Sequence, residues 1–110
     1  MSEITRFLFE GLPVRGALVR LTDAWQEVRR RRLEAGEFPP EVRMLLGEMA
    51  AAGVLMQSNI KFNGALVLQI FGDGPVKLAV AEVQPDLAFR TTAKVVGAVP
   101  AGAQLEAMVN

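Results

Sequence analysis

The sequence predicts an α+β fold, a mostly antiparallel sheet packed against a long, nearly all-apolar central helix and a shorter arginine-rich helix. Three observations carry that expectation. Apolar runs of strand length are separated by Gly, Pro and Asp clusters toward both ends of the chain. A helical repeat of apolar residues fills the middle. At 110 residues, 51% of them hydrophobic, the chain has room for one domain with a core of its own.

Thr5 to Glu10 (TRFLFE) and Val14 to Thr22 (VRGALVRLT) read as two strands joined at Gly11-Leu12-Pro13. In the second, Arg15, Ala17, Val19 and Leu21 share one face, and Val14, Gly16, Leu18 and Arg20 the other. Thr22 or Asp23 can cap a helix running to Gly36, with Trp25, Val28 and Leu33 as its apolar points. Its four consecutive arginines, Arg29 to Arg32, sit near the negative end of the helix dipole. On a helix they spread around the cylinder, so a solvated face is preferred over a nucleic-acid patch.

Phe38-Pro39-Pro40 opens the second helix, because Pro is tolerated in a first turn where its missing N–H has no intrahelical partner. That helix is expected from about Pro40 to Ser58. Val42, Leu45, Leu46, Met49, Gly53 and Met56 make one face, and Ala50, Ala51, Val54 and Leu55 widen it. Glu48 interrupts the apolar run, and its ordinary explanation is one exposed stripe.

Ala65 to Phe71 (ALVLQIF) and Val76 to Val83 (VKLAVAEV) flank Gly72-Asp73-Gly74-Pro75, the clearest hairpin in the chain. The Gly-rich turn resembles a phosphate cradle only superficially, since it leads into a strand and lacks the Lys-Ser/Thr pair. Leu66, Leu68 and Ile70 fall on one face, with Val76, Leu78 and Val80 as the apolar set across the turn. Both faces of the first strand are nearly apolar, so the sheet is covered on both sides or offers one side to another molecule. Leu87 to Val96 forms a further strand with Arg90, Thr92 and Lys94 on a wet face, and Ala103 to Val109 begins a short helix. An ending inside that periodic segment reads as truncation.

Composition narrows the chemistry. The sequence holds no Cys and no His, so its residues supply no thiolate or imidazole metal ligand, no thiol nucleophile and no His base. Six carboxylates, Glu10, Asp23, Glu48, Asp73, Glu82 and Asp86, are candidates for acid-base work, but no two are brought together by spacing, and no enzyme is expected. Twelve basic residues balance twelve acidic ones, which favours neither nucleic acid nor an anionic membrane surface as partner. Met1 to Glu10 is too short and charged for a signal peptide, so a mature cytosolic start is expected. Met44 to Met56 falls short of the ~20 apolar residues needed to cross a bilayer.

Four segments then carry a resemblance. FLFEGLPVRGALVRLTDAW at Phe7 to Trp25 resembles the N-terminal signature of the heat shock protein 33 family. PPEVRMLLGEMAAAGVLM at Pro39 to Met56, IKFNGALVLQIFGDGPVKLAV at Ile60 to Val80, and RTTAKVVGAVPAGAQLEAMV at Arg90 to Val109 are similar to that family in the same order. The resemblance implies that residues 1 to 110 are the N-terminal part of a chaperone core domain. It implies an ATP-independent, cytoplasmic holdase of a redox-regulated stress-response family, binding unfolded client proteins through apolar surface and tending to form homodimers. Members carry a zinc site of Cys-x-Cys and Cys-x-x-Cys in a C-terminal portion; none of those ligands is present here, so no cofactor is expected for these residues. The expected client or dimer surface is the apolar sheet face around Leu66, Leu68, Ile70, Val76, Leu78 and Val80. The alternative is an oligomerisation domain without client activity.

Overall fold

The computed structural model describes residues 2–8, 10, 11, 15–36, 38–60 and 63–109. Strands β1 (Ser2–Leu8) and β2 (Arg15–Leu21) lead into helices α1 (Thr22–Ala35) and α2 (Pro40–Asn59). Strands β3 (Leu66–Phe71), β4 (Val76–Val83) and β5 (Phe89–Val95) and the short helix α3 (Leu105–Val109) follow. The strands divide between two sheets, an antiparallel β1-β2 ribbon and an antiparallel β3-β4-β5 sheet. The expected α+β architecture is present, with two sheets where one was anticipated. The joint at 12–14 lies outside the described residues.

Within the ribbon, Ile4, Ala17, Val19 and Leu21 occupy the half-buried face, while Thr5, Phe7, Leu18 and Arg20 face water. Phe7 stands opposite Gly16, and a Cβ added to Gly16 would run into the Phe7 ring. The ribbon is tied down at both ends. Arg6 Nη2 donates to the Ser58 carbonyl at 2.9 Å, and the Ala24 amide donates to Ser2 Oγ at 2.9 Å. A first-turn amide of α1 is thus satisfied from β1, a cap that sequence adjacency does not disclose.

Helix α2 is the centre of the molecule. Val42, Leu45, Leu46, Met49, Ala50, Gly53, Val54 and Gln57 are buried along it, a continuous stripe at i+3/i+4 spacing. Met56, expected on that face, is about half exposed, and Glu48 and Met44 lie on the open side. Gln57 takes the buried place because its amide is needed there: Nε2 donates to the Gly64 carbonyl at 2.7 Å and lies 3.4 Å from the Val83 carbonyl.

Against this stripe lies the inner face of the second sheet. Val76, Ala79, Ala81 and Val83 are fully buried, and Leu68, Ile70, Ala93 and Val95 pack at their margins. The alanines let the helix approach closely. Met108 of α3 closes one end of the core. The Asp73 and Gly74 amides donate to the Val109 carbonyl at 2.7 and 3.1 Å, so the Gly-rich turn is occupied by the protein's own backbone. At the other hairpin, Leu87 adopts φ +70°, the residue after a Gln84-Pro85-Asp86 turn closed by the Leu87 amide on the Gln84 carbonyl at 2.8 Å.

Candidate functional site

The six residues expected to form one apolar surface lie on two faces of the sheet. Leu66 stands opposite Val83, Leu68 opposite Ala81 and Ile70 opposite Ala79, all on the side that meets α2. Val76 joins them and is 0% exposed. Leu78 and Val80 instead stand opposite Phe71 and Gln69, on the outer side. The shared face expected for Val76, Leu78 and Val80 is therefore corrected. Between Val76 and Leu78 the register of β4 against β5 shifts by one residue, so the alternation changes phase within the strand.

The outer face so formed has an apolar centre and a polar side. Phe71 is 70% exposed and Val67 46% exposed on β3. Leu78 and Val80 continue the patch on β4. Glu82 on β4 and Arg90, Thr92 and Lys94 on β5 bound it, and Arg90 Nη2 pairs with Glu82 Oε2 at 2.6 Å. The wet face expected for Arg90, Thr92 and Lys94 is the exposed one. Val67 and Phe71 are not among the surface residues expected from the sequence; the two apolar phases of ALVLQIF left open whether both faces are covered or one is offered to another molecule.

A second exposed apolar group lies on the ribbon. Leu8 and Leu18 are 78% and 62% exposed, and Phe7, Leu8 and Ile60 line a cleft of about 780 Å³ between the ribbon and the end of α2. Both groups offer apolar contact area. Among the described residues no three His, Cys, Asp or Glu side chains gather to hold a metal ion. With no Cys or His in the sequence, these residues do not fit a thiolate zinc site. Among the described residues no helix is long and apolar enough to cross a membrane.

Comparison with known proteins finds relatives for this sequence. The 33 kDa chaperonin of Chromobacterium violaceum is 54% identical over 93 residues, covering 84% of this chain and 30% of that protein. That of Neisseria gonorrhoeae is 42% identical over 90 residues, 82% of this chain and 28% of the relative. That of Cronobacter sakazakii is 38% identical over 109 residues, 99% of this chain and 36% of the relative. The chain thus spans about a third of the length of these relatives. The family model described as Hsp33 protein matches residues 2–109, nearly the whole sequence, and the chain belongs to that family.

Proposed function

We propose that this chain is part of a chaperone that holds unfolded polypeptides, without ATP, on the outer face of the β3-β4-β5 sheet. The name 33 kDa chaperonin borne by its relatives supports the chaperone class. The observation that carries the choice of surface is Phe71, a large aromatic at 70% exposure beside Val67 in a strand whose other face is in the core. Apolar contact area without directional polar groups suits partners of varied sequence. The thiolate ligands of the family's zinc site are not among these residues, so the proposed holding surface is built without them.

The test is suppression of light scattering by a chemically denatured protein, without ATP, at several-fold excess of this chain. Suppression that falls in Phe71→Ser and Val67→Ser, both folded by circular dichroism, is the expected result. Undiminished suppression in both variants would move the client surface elsewhere, and no suppression at all would remove the holdase reading.

A second reading is self-association of the chain in the cytoplasm, as a homodimer, through the ribbon. Leu8 and Leu18 support it, since they are exposed on a two-stranded ribbon whose outer edges pair with no further strand among the described residues. Light scattering across a dilution series distinguishes the two: a dimer lost in Leu18→Lys with client binding retained assigns the ribbon to assembly alone.

A further inference from the structure

Helix α2 has an open flank near its start. Glu41, Met44, Leu45 and Glu48 follow one another at i, i+3, i+4 and i+7, so they share a face. That face and α3 enclose a groove of about 260 Å³ whose walls include these four residues, Leu105 and Met108. Leu45 and Met108, 8% and 4% exposed, are its buried floor; Met44 and Leu105, 68% and 45% exposed, stand open to water beside it. The Gly102 amide donates to Glu41 Oε2 at 3.2 Å, which fastens the loop before α3 to the first turn of α2 and holds the groove in shape.

The groove is acidic in a chain of zero net charge. Its two carboxylates on α2 lie one turn to either side of Met44, about 10 Å apart along the helix. Among the described residues no Lys or Arg lines it, and Glu48 makes no hydrogen bond or ion pair with any of them. Glu41 keeps its charge and its second oxygen after engaging Gly102. Glu106 adds an exposed carboxylate on α3, next to Leu105. Unmatched negative charge of this kind favours a cationic partner, and the exposed Met44 and Leu105 gain by being covered. Methionine side chains re-pack readily around apolar groups of different shape.

We propose that this groove docks a basic amphipathic helix of another polypeptide, with Lys or Arg at i and i+7 and leucine-sized residues at i+3 and i+4. That spacing mirrors the one on α2 and reads the same in both directions. In a helix lying along α2, the apolar pair enters between Met44 and Leu105 while the two cations reach Glu41 and Glu48. The volume is below the roughly 300–1,000 Å³ of small-molecule sites, which suits one or two inserted side chains better than a whole ligand. None of these residues belongs to the outer face of the β3-β4-β5 sheet, so the two surfaces are separable by substitution.

The experiment follows fluorescence anisotropy of a dye-labelled helical peptide of that pattern as the 110-residue chain is added at low ionic strength. Its counterpart carries Glu in place of each Lys. The basic peptide is expected to saturate and the acidic one to bind at least about tenfold more weakly, since two attractions become two repulsions. Glu48→Lys should weaken the basic peptide by about fivefold or more, and Met44→Ser by about threefold or more. Glu3→Lys makes the same change of net charge on the ribbon, and Phe71→Ser alters the outer sheet face; both should leave the affinity unchanged. All four substitutions fall on exposed side chains, and circular dichroism verifies that each variant is folded. No saturation by the basic peptide, an acidic peptide as tight as the basic one, or a loss in Glu3→Lys equal to that in Glu48→Lys would each overturn the proposal. A loss in Phe71→Ser equal to that in Met44→Ser would overturn it in favour of the outer sheet face. A dimer that Glu48→Lys dissolves, with no peptide bound, would overturn it in favour of a second copy.

Discussion

A Cβ added to Gly53 would sit 2.8 Å from Cγ2 of Val83, so α2 lies against β4 with no room for a methyl group at that crossing. Val83 is fully buried and β-branched, with little freedom to turn aside. Gly53→Ala gains about 1 kcal/mol of helix propensity, but overpacking costs about 1–3 kcal/mol, for a net destabilisation of up to about 2 kcal/mol. Urea unfolding followed by circular dichroism checks it.

Gly47 in the same helix provides the opposite expectation. Its nearest neighbour would be the Trp25 ring at 3.4 Å, an ordinary van der Waals contact. Gly47→Ala then keeps the propensity gain without the clash and should stabilise by up to about 1 kcal/mol. The same unfolding experiment should show the two glycines moving the midpoint in opposite directions.

The bulge in β4 makes a second contrast. Leu68 packs against the core from β3, and Leu78 lies on the outer face beside Phe71. Leu68→Lys would bring an ammonium against the helix and should cost about 3 kcal/mol or more, enough to unfold the chain at moderate temperature. Leu78→Lys should cost about 1 kcal/mol or less, because its head group reaches water. Thermal melts of the two variants decide whether the strand changes phase where the register does.

That phase change also shows what was legible beforehand. The β3-β4 hairpin, β5 and both long helices follow from turn clusters and apolar period, and their bounds fall within three residues of those expected. The assignment of β4's faces did not follow, because strict alternation groups Val76, Leu78 and Val80 as one apolar set on a single face. Close approach of α2 at Gly53 favours small Ala79 and Ala81 on the inside, a requirement of tertiary packing that a single strand does not record. Gln57 replaced Met56 in the core for a similar reason, since its partners, the Gly64 and Val83 carbonyls, are remote from the helical pattern. The outer face was half legible. Two apolar phases in β3 allowed either a sheet covered on both sides or one open face, and the register with the exposure of Val67 and Phe71 shows the open face.

Gly72 packs against the backbone of Val109, and a Cβ there would run into the Val109 carbonyl oxygen and lie 2.7 Å from its Cα. These are atoms at the Val109 main chain, not the far end of a flexible side chain that could yield. Gly72→Ala should lift α3 from the turn and release the Asp73 and Gly74 amides from their shared acceptor. Hydrogen exchange at those two amides should accelerate by about tenfold or more, while α2 amides stay protected, because local opening need not carry the global unit with it. Unchanged protection would place the weight of α3's docking on Met108.

The acid limb of stability tests the outer side of α1. Glu27 Oε1 and Oε2 accept hydrogen bonds from Arg30, and Oε1 accepts another from Arg31 at 2.9 Å. These hydrogen bonds, from Arg30 first and Arg31 next, hold the Glu27 carboxyl well below its usual value of 4.5, at about 2. A carboxyl lowered on folding favours the folded state above its unfolded value and loses that contribution as pH falls through the folded value. The helix should therefore weaken between about pH 4.5 and pH 2, and Glu27→Gln should remove this component of the acid limb. Because the cluster is open to water, the difference between the two proteins should be small at low salt and fade as salt is added. Circular dichroism melts from pH 6 to pH 2 at two ionic strengths supply the check, and an acid limb identical in Glu27→Gln would mean that the arginine contacts do not persist in solution.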